Sequence, residues 1–498
     1  MSLEIIHKRE QSQVDYKLVF NLDFRIMYKK IFAVSIVSLV LAGTACKDTL
    51  EIQPKQSLDA STALSDFSSV NALSISLYSR AQSFLYYGQR MMIAPEVLAD
   101  NYTVTANPGG RYVNERVNAP GAHITDLWNL LYPGVNEANF IIANIDKVTA
   151  LQEQKDALLG QAYFMRALFY HDMARVHAYE PGKAVAGFNE GLVLRTTPTD
   201  DVAKAEFLPR SPVASVYALI ESDLKSASTL LPITVSGAGV FKASRGAAFA
   251  LLSRVYLYQS KWAEAEQAAT DAITNKQGST TLATAANYVA SFASVPNRES
   301  MFELDYRPEQ FSTVDGINNS MNSLTQRTVG GVFSVRATSE LINSFEPGDV
   351  RRTAFAETVD NTVTVNYSLK FPAHKGNFFN NVAVIRISEV YLIRAEARAQ
   401  QNKFLEAQAD LTTLRTNRGL AAVPATTIGQ PLLNLVFQER RVELNLEGHR
   451  FFDFKRRGLA IPKPAPLPSL PYEDFRVLAP LPNAQVILNP LIKQNPGY

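Results

Sequence analysis

Glu439, Glu443 and Glu447 recur at i, i+4 and i+8, inside a stretch from Phe437 to Phe454 dense in charge. On a helix that spacing lines one face with carboxylates. Carboxylates so grouped are the raw material of general acid–base catalysis or of a metal site. Unshielded they repel one another, and the same stretch supplies Arg440, Arg441 and Arg450 as neighbouring cations. Guanidinium groups at close range keep carboxylates ionised and lower their pKa, the opposite of what a general acid near pH 7 needs. The pattern therefore predicts a buried structural charge network, with no catalytic residue and no metal.

The chain has one cysteine, Cys46, at the end of a short apolar run. Lys29-Lys30 precede Ile31 to Ala42, and Gly43-Thr44-Ala45 lead into the thiol. A basic start, an apolar stretch and a small-residue exit form an export signal. The run is shorter than the roughly 20 apolar residues a membrane-spanning helix needs. It resembles a bacterial lipoprotein signal, which implies that Cys46 becomes the acylated first residue; an ordinary secretory peptide is the alternative. Gly43 stands where a large aliphatic residue is usual, with Leu41 two positions back. Residues 1–26 mix acids and bases without an apolar core, so Met27 reads as the true start and 1–26 as an over-extended translation. The expectation is a signal over 27–45 and a mature chain over 46–498.

Other chemistries find little support. The sequence carries no G-x-S-x-G elbow, phosphate loop or H-E-x-x-H. His171 and His177 lie six apart, about 240° around a helix, and are poor joint ligands. A single thiol excludes zinc ribbons and internal disulfides. Forty-six per cent hydrophobic and 19 % charged residues describe a globular chain, and a net charge of +2 gives no electrostatic reason to expect nucleic acid. No cofactor is called for.

These groups must be positioned by helices. Leu158, Ala162, Met165, Leu168, Phe169 and Met173 recur at helical spacing, predicting a helix with a broad buried face. Ser211-Pro212 predicts another helix start, with Ser as N-cap and Pro at the first position. Two later stretches resemble each other: Ala248–Ile273 and Val390–Leu414 each read as helix, polar turn, aromatic, Glu-Ala and second helix. Such pairs resemble tetratricopeptide repeats. The copies stand 142 positions apart (Lys261 and Lys403), so the repeats read as embedded in a larger fold rather than as a continuous solenoid. Residues 275–385 are rich in Gly, Ser, Thr and Asn, and Thr362–Tyr367 alternates as a strand does. After Gly458 a Pro-rich tail forbids long helices. Both tryptophans, Trp128 and Trp262, fall in helical motifs and read as core. The fold class expected is mostly α: tetratricopeptide-like helix pairs, long loops and a few short strands.

Phe437 to Asp453 resembles the C-terminal signature helix of the SusD/RagB family of outer-membrane nutrient-binding lipoproteins, approximately F-x-E-R-R-x-E-L-x-x-E-G-x-R-x-x-D. Glu439, Arg440, Arg441, Glu443, Leu444, Glu447, Gly448, Arg450 and Asp453 all match. Ile385–Ala397 resembles the helix that usually ends Y-A-E-A, with Arg394 in place of Tyr. Leu414–Leu420 resembles the R-x-R-A-G-L turn, and Pro480–Tyr498 the closing P-I-P…N-P…Q-N-P-G-Y. At the other end Leu127-Trp128, Leu131-Tyr132, Asn136 and Asn139 fit the first helical repeat. The resemblance runs from Cys46 to Tyr498 as a single SusD-like domain, with a tether over 46–57, an N-terminal part over about 58–235 and a C-terminal part over about 240–498.

The resemblance implies a SusD-like lid, anchored by lipid and facing outward, on a SusC-like TonB-dependent transporter. It implies capture of oligosaccharides, or of peptides in some relatives, with no covalent chemistry. It also implies a ligand site on loops after the first helix, where Tyr86, Tyr87, Asp100, Asn101, Tyr102, Arg111 and Tyr112 join aromatic faces to donors and acceptors. The other reading of these residues is that they pack beneath the loop. Two rival functions stay open. A lipid-anchored glycoside hydrolase would need paired carboxylates in a cleft. A helical-repeat scaffold would bind only proteins.

Overall fold

Asp66 accepts a hydrogen bond from the Ser69 amide (3.0 Å) and so starts helix α1 (Phe67–Ala81). The computed structural model describes residues 66–201, 205–376 and 378–498. The 1–26 segment, the leader over 27–45, Cys46 and the tether over 46–57 lie outside the described residues.

From α1 the chain passes through α2 (Arg90–Val97) and β1 (Tyr102–Val104) to α3 (Leu127–Asn144). The helix predicted around 158–173 is α4 (Gln152–His177), and almost every residue from Phe164 onward is buried. A helix apolar on only part of its surface yet buried all round must seat its polar groups on partners. Arg166 accordingly pairs with Asp223 of α5 (Val213–Leu230) at 2.7 Å. α5 does not start as Ser211 suggested. Pro212 is the cap residue and no side chain caps the helix. Ser211 exchanges backbone hydrogen bonds with Leu192 and Gly191, both 2.8 Å, which keeps it extended.

The two look-alike stretches form matching pairs: α6 (Arg245–Tyr258) with α7 (Trp262–Thr274), and, after the intervening segment, a second pair. That segment carries β2 (Ser300–Leu304), β3 (Val335–Ala337), β4 (Phe355–Asp360), β5 (Val363–Ser368) and β6 (Val382–Arg386). The strand read at 362–367 is β5, in a hairpin with β4 turned by Asn361 at φ +59°. One sheet has the order β1-β3-β5-β4, with Tyr102 opposite Ala337 and Ala337 opposite Asn366; β2 and β6 form a second, and every pairing is antiparallel.

The second pair is α8 (Ile387–Gln400) with α9 (Phe404–Thr416), followed by α10 (Gln430–Glu443), α11 (Arg450–Lys455) and α12 (Asn483–Leu488). Both pairs turn at a left-handed residue, Ser260 (φ +56°) and Asn402 (φ +60°). The pairs are neighbours in space. Glu266 of α7 takes hydrogen bonds from Arg398 (3.1 Å), Gln401 (2.9 Å) and Lys403 (2.6 Å), while Ala265, Ala268, Ala269 and Ala272 are buried. Each helix from α3 to α9 packs on the next, so the stack is continuous in space although the sequence leaves it between α7 and α8. The fold is mostly helical with a few short strands. Trp128 is buried, and Trp262 is half-buried against the core. No helix among the described residues is long and apolar enough to cross a membrane.

Candidate functional site

The signature glutamates form a buried charge network, but two details of the expectation change. Only Glu439 and Glu443 share α10, which ends at Glu443. Glu447 follows in a turn where Leu446 and Gly448 have φ +61° and +78°. The cations also come from elsewhere. Glu443 accepts from Arg418 Nε (2.9 Å), Arg386 (2.9 Å) and Arg351 (3.3 Å). Glu447 accepts from Arg386 (2.7 and 2.8 Å) and Lys370 Nζ (2.6 Å), and Glu439 from Arg351 (2.7 Å) and Arg415 (2.5 Å). Glu299 of the inserted segment joins through Arg386 (2.6 Å) and Arg418 (2.7 Å).

The arginines read as partners look the other way. Arg440 pairs with Asp453 (3.0 Å), Arg441 with Asp100 (3.0 Å), and Arg450 with Asp100 (2.7 Å). Arg441 points to the far side of α10 from both glutamates, and Arg440, although an i,i+3 neighbour of Glu443, turns to Asp453. Counting Asp349, which binds Arg351 at 2.7 Å, and exposed Glu346, which binds Arg415 at 2.6 Å, six acids meet five bases, all buried except Glu346 and the partly buried Glu447.

Burial alone would push these carboxyls up. The Arg418 and Arg386 guanidiniums hold Glu443 well below the ordinary range, and Arg386 and Lys370 hold Glu447 below it. Such groups do not donate protons near neutral pH, although Glu447 lines a narrow pocket with Lys370, Arg386 and Glu303. Gly448 is required by shape: a Cβ there would meet the Met91 carbonyl oxygen at 2.2 Å. Among the described residues no cluster of His, Cys, Asp or Glu is arranged to hold a metal ion.

The structure gives most of the expected ligand residues a packing role. Tyr86 and Tyr87 are buried and donate to Asp172, Tyr87 at 2.7 Å, while Arg175 donates to the same carboxylate. Asp100 receives Arg441 and Arg450, and Asn101 links Glu96 (2.8 Å) to Arg441 (2.9 Å). Tyr102, in β1, donates to Asn445 (3.1 Å), and Tyr112 donates to Gln89. Tyr86 and Tyr87 sit against α4, Tyr102 against the turn after α10 and Tyr112 against Gln89 and Arg90, so none offers its flat side to solvent. Asp100-Asn101-Tyr102 thus ties the first loop to the signature turn. Burial also pushes the Glu96 carboxyl up to about 7.

Arg111 alone of the set reaches the surface, half-buried, and donates to Asn318 (3.2 Å) on the short helix Thr313–Asn319. That helix rests on Phe379, which a Cβ at Gly316 would meet at 2.8 Å. Phe379 stacks on half-buried Phe311 (5.6 Å, 24°), which stacks on Tyr306 (5.7 Å, 26°) and meets Phe84 (5.1 Å). Asp305 beside them is held by Lys375 (2.6 Å) and Arg307 (3.0 Å). The loops after α1 and the inserted segment therefore meet in one aromatic cluster, Tyr306 and Phe379 buried and Phe84 and Phe311 half-buried, beside Arg111 and Asn318. Phe311 and Asn318 lie some 200 residues from the loop read in the sequence, and no local pattern marked them.

A family profile described as "Starch-binding associating with outer membrane" matches residues 49–257, and that of the SusD family matches 364–461. The chain belongs to the SusD/RagB family. SusD-like protein P38 of Formosa agariphila is 25% identical over 532 residues, covering 94% of this chain and all of that one. Among solved structures, a putative sugar binding protein from Bacteroides vulgatus (27% identity, TM-score 0.77) is covered fully by 88% of this chain. A SusD superfamily protein from Bacteroides thetaiotaomicron (25%, TM-score 0.76) is covered fully by 86%. SusD/RagB proteins are carbohydrate-binding and associated with the outer membrane, and as a family they work with SusC-type transporters. In this SusD/RagB chain, Arg394 replaces the usual Tyr and pairs with Asp410 (2.7 Å), locking α8 to α9.

Proposed function

We infer that the mature chain, acylated at Cys46, captures oligosaccharides at the outer surface of the outer membrane and passes them unaltered to a SusC-like TonB-dependent transporter. The observation that carries this reading is the family match, which spans both ends of the helical stack. The aromatic loop cluster supports it. A sugar presents weakly polar C–H faces, which suit Phe311, and hydroxyls, which suit Arg111 and Asn318. The absence of catalysis is supported by the signature carboxylates, each neutralised by a guanidinium or ammonium partner.

Calorimetry of residues 46–498 with starch-, laminarin- and xylan-derived oligosaccharides tests ligand capture. One glycan class is expected to bind, and Arg111→Ala with Asn318→Ala is expected to weaken it at least tenfold. Peptide binding alone, or hydrolysis of a glycan by the purified protein, would overturn the reading. Incorporation of labelled palmitate, lost in Cys46→Ser, tests the anchor. Co-purification with a large β-barrel tests delivery.

A further inference from the structure

A groove of about 430 Å3 runs between α3, residues 193–199 and 205–207, and the chain from α12 to Ile492. No residue of the aromatic loop cluster lines it. Its walls are tied together. Tyr132 donates to the Val193 carbonyl (2.9 Å), Asn136 exchanges two hydrogen bonds with the Thr199 backbone (2.9 and 2.8 Å), and Asn489 donates to the Leu208 carbonyl (2.9 Å). The groove is therefore preformed, and its volume lies in the range of small-ligand sites.

Its lining combines flat rings with uncharged polar groups. Trp128 forms the floor, 4.8 Å from the tilted ring of half-buried Tyr132. Phe207 stands at the rim with 60 % of its surface in water. A single exposed apolar side chain is ordinary, but aromatic rings around a concavity with amides within it match the needs of a sugar ring. Asn129 and Gln485 supply the amides, while Arg195 and Glu206 bring one charge of each sign and no net preference for an ion.

We propose that this groove is a second saccharide site, separate from the loop cluster, taking the uncharged pyranose end of a glycan. The C–H face of the ring lies against Tyr132 and Phe207, and its hydroxyls meet Asn129 and Gln485. The inference rests on the glycan-binding reading above, and it assigns the protein two points of grip on one chain or on two. A chain held at two points dissociates more slowly than one held at either alone, because release from one point leaves the other engaged.

The protein's two tryptophans allow a direct test. Trp262→Phe leaves Trp128 as the sole emitter. Maltotriose, laminaritriose and xylotriose are titrated into this variant, with calorimetry on the unsubstituted protein alongside. For a sugar that binds, the inference expects a saturable change in Trp128 emission and two sites per chain. Phe207→Ala with Gln485→Ala, both at exposed or half-exposed positions, should weaken the emission-linked event at least tenfold. Arg111→Ala with Asn318→Ala should leave that event unchanged. Binding at one site with Trp128 emission unmoved would overturn the groove site while leaving glycan capture intact. Groove substitutions that alter only co-purification with the β-barrel partner would overturn it in favour of a protein contact. Failure of every sugar to bind at either place would overturn both readings.

Discussion

Arg386 is the hub of the signature network, and removing it gives a sharp test of the structural role assigned to those glutamates. Its guanidinium makes five hydrogen bonds: two to Glu447, one each to the Glu299 and Glu443 carboxylates, and one to the Glu443 carbonyl. Arg386→Met preserves most of the volume and leaves six acids against four bases, with Glu299 and Glu443 fully buried. Breaking a buried ion pair by deleting one partner costs about 3–5 kcal/mol. Three carboxylates lose a partner here, so the upper end of that range is expected at pH 7.5, read as a fall in the urea midpoint followed by circular dichroism. The sign of its pH dependence follows. In the parent, Glu443 and Glu447 titrate below the ordinary range and stay ionised at pH 5. In the variant the stranded carboxylates have raised pKa values and take up a proton as the pH falls, relieving the excess charge. The loss should therefore shrink between pH 7.5 and pH 5. Adding Glu443→Gln should restore part of it. A loss under about 1 kcal/mol, or one that is the same at both pH values, would refute the argument that these buried charges neutralise one another.

Gly448→Ala should cost about 2–5 kcal/mol, since a positive φ and a Cβ at 2.2 Å from a backbone oxygen act together, and thermal unfolding should show it. Glu96→Gln should stabilise the protein at pH 8 by an amount on the order of 3 kcal/mol. A folded-state pKa of about 7 against 4.5 unfolded penalises the ionised form fully above pH 7, and the gain should vanish near pH 4.5. Acid should destabilise the fold before its carboxylates protonate. Burial holds His177 down to about 3 and His449 to about 4, and His123 and His171 well below the ordinary value. The unfolded chain takes up those protons near pH 6.5 and the folded chain does not, so stability present above 6.5 is lost as the pH falls toward 4, visible as a declining melting temperature between pH 6.5 and 5.

Elements set by local pattern were legible in the sequence. The spacing around Leu158–Met173 reports α4 because it reflects burial of a helix face, and the two look-alike stretches report their helix pairs down to the polar turn. The closing motif is legible as a motif, and the structure supplies its reason: Asn495 is buried, binding Arg210, the His177 carbonyl and the Ala479 carbonyl. Partner choice was not legible. Arg386, Arg415 and Arg418 stood in quoted segments, but their pairing with Glu439, Glu443 and Glu447 depends on how the end of β6 and the turn after α9 pack against α10. For the same reason Tyr86 and Tyr102 looked like ligand groups. An aromatic beside Asp or Asn has the same composition whether its ring meets a sugar or a buried carboxylate. Only Arg111, whose loop tip carries Gly109 and Gly110, stayed at the surface.

The departure of the chain between α7 and α8 has an evolutionary consequence. The excursion leaves one helix and returns to its immediate neighbour, so its two ends are fixed side by side by the stack itself. Lengthening such an excursion is thermodynamically mild, since each doubling of a loop adds only about 0.6 kcal/mol of closure entropy. A half-buried ring such as Phe311 can therefore be exchanged for others, like the bit in a chuck, while the helices that hold it keep their register. Diversification of that surface then requires rewriting one cassette rather than redesigning a scaffold.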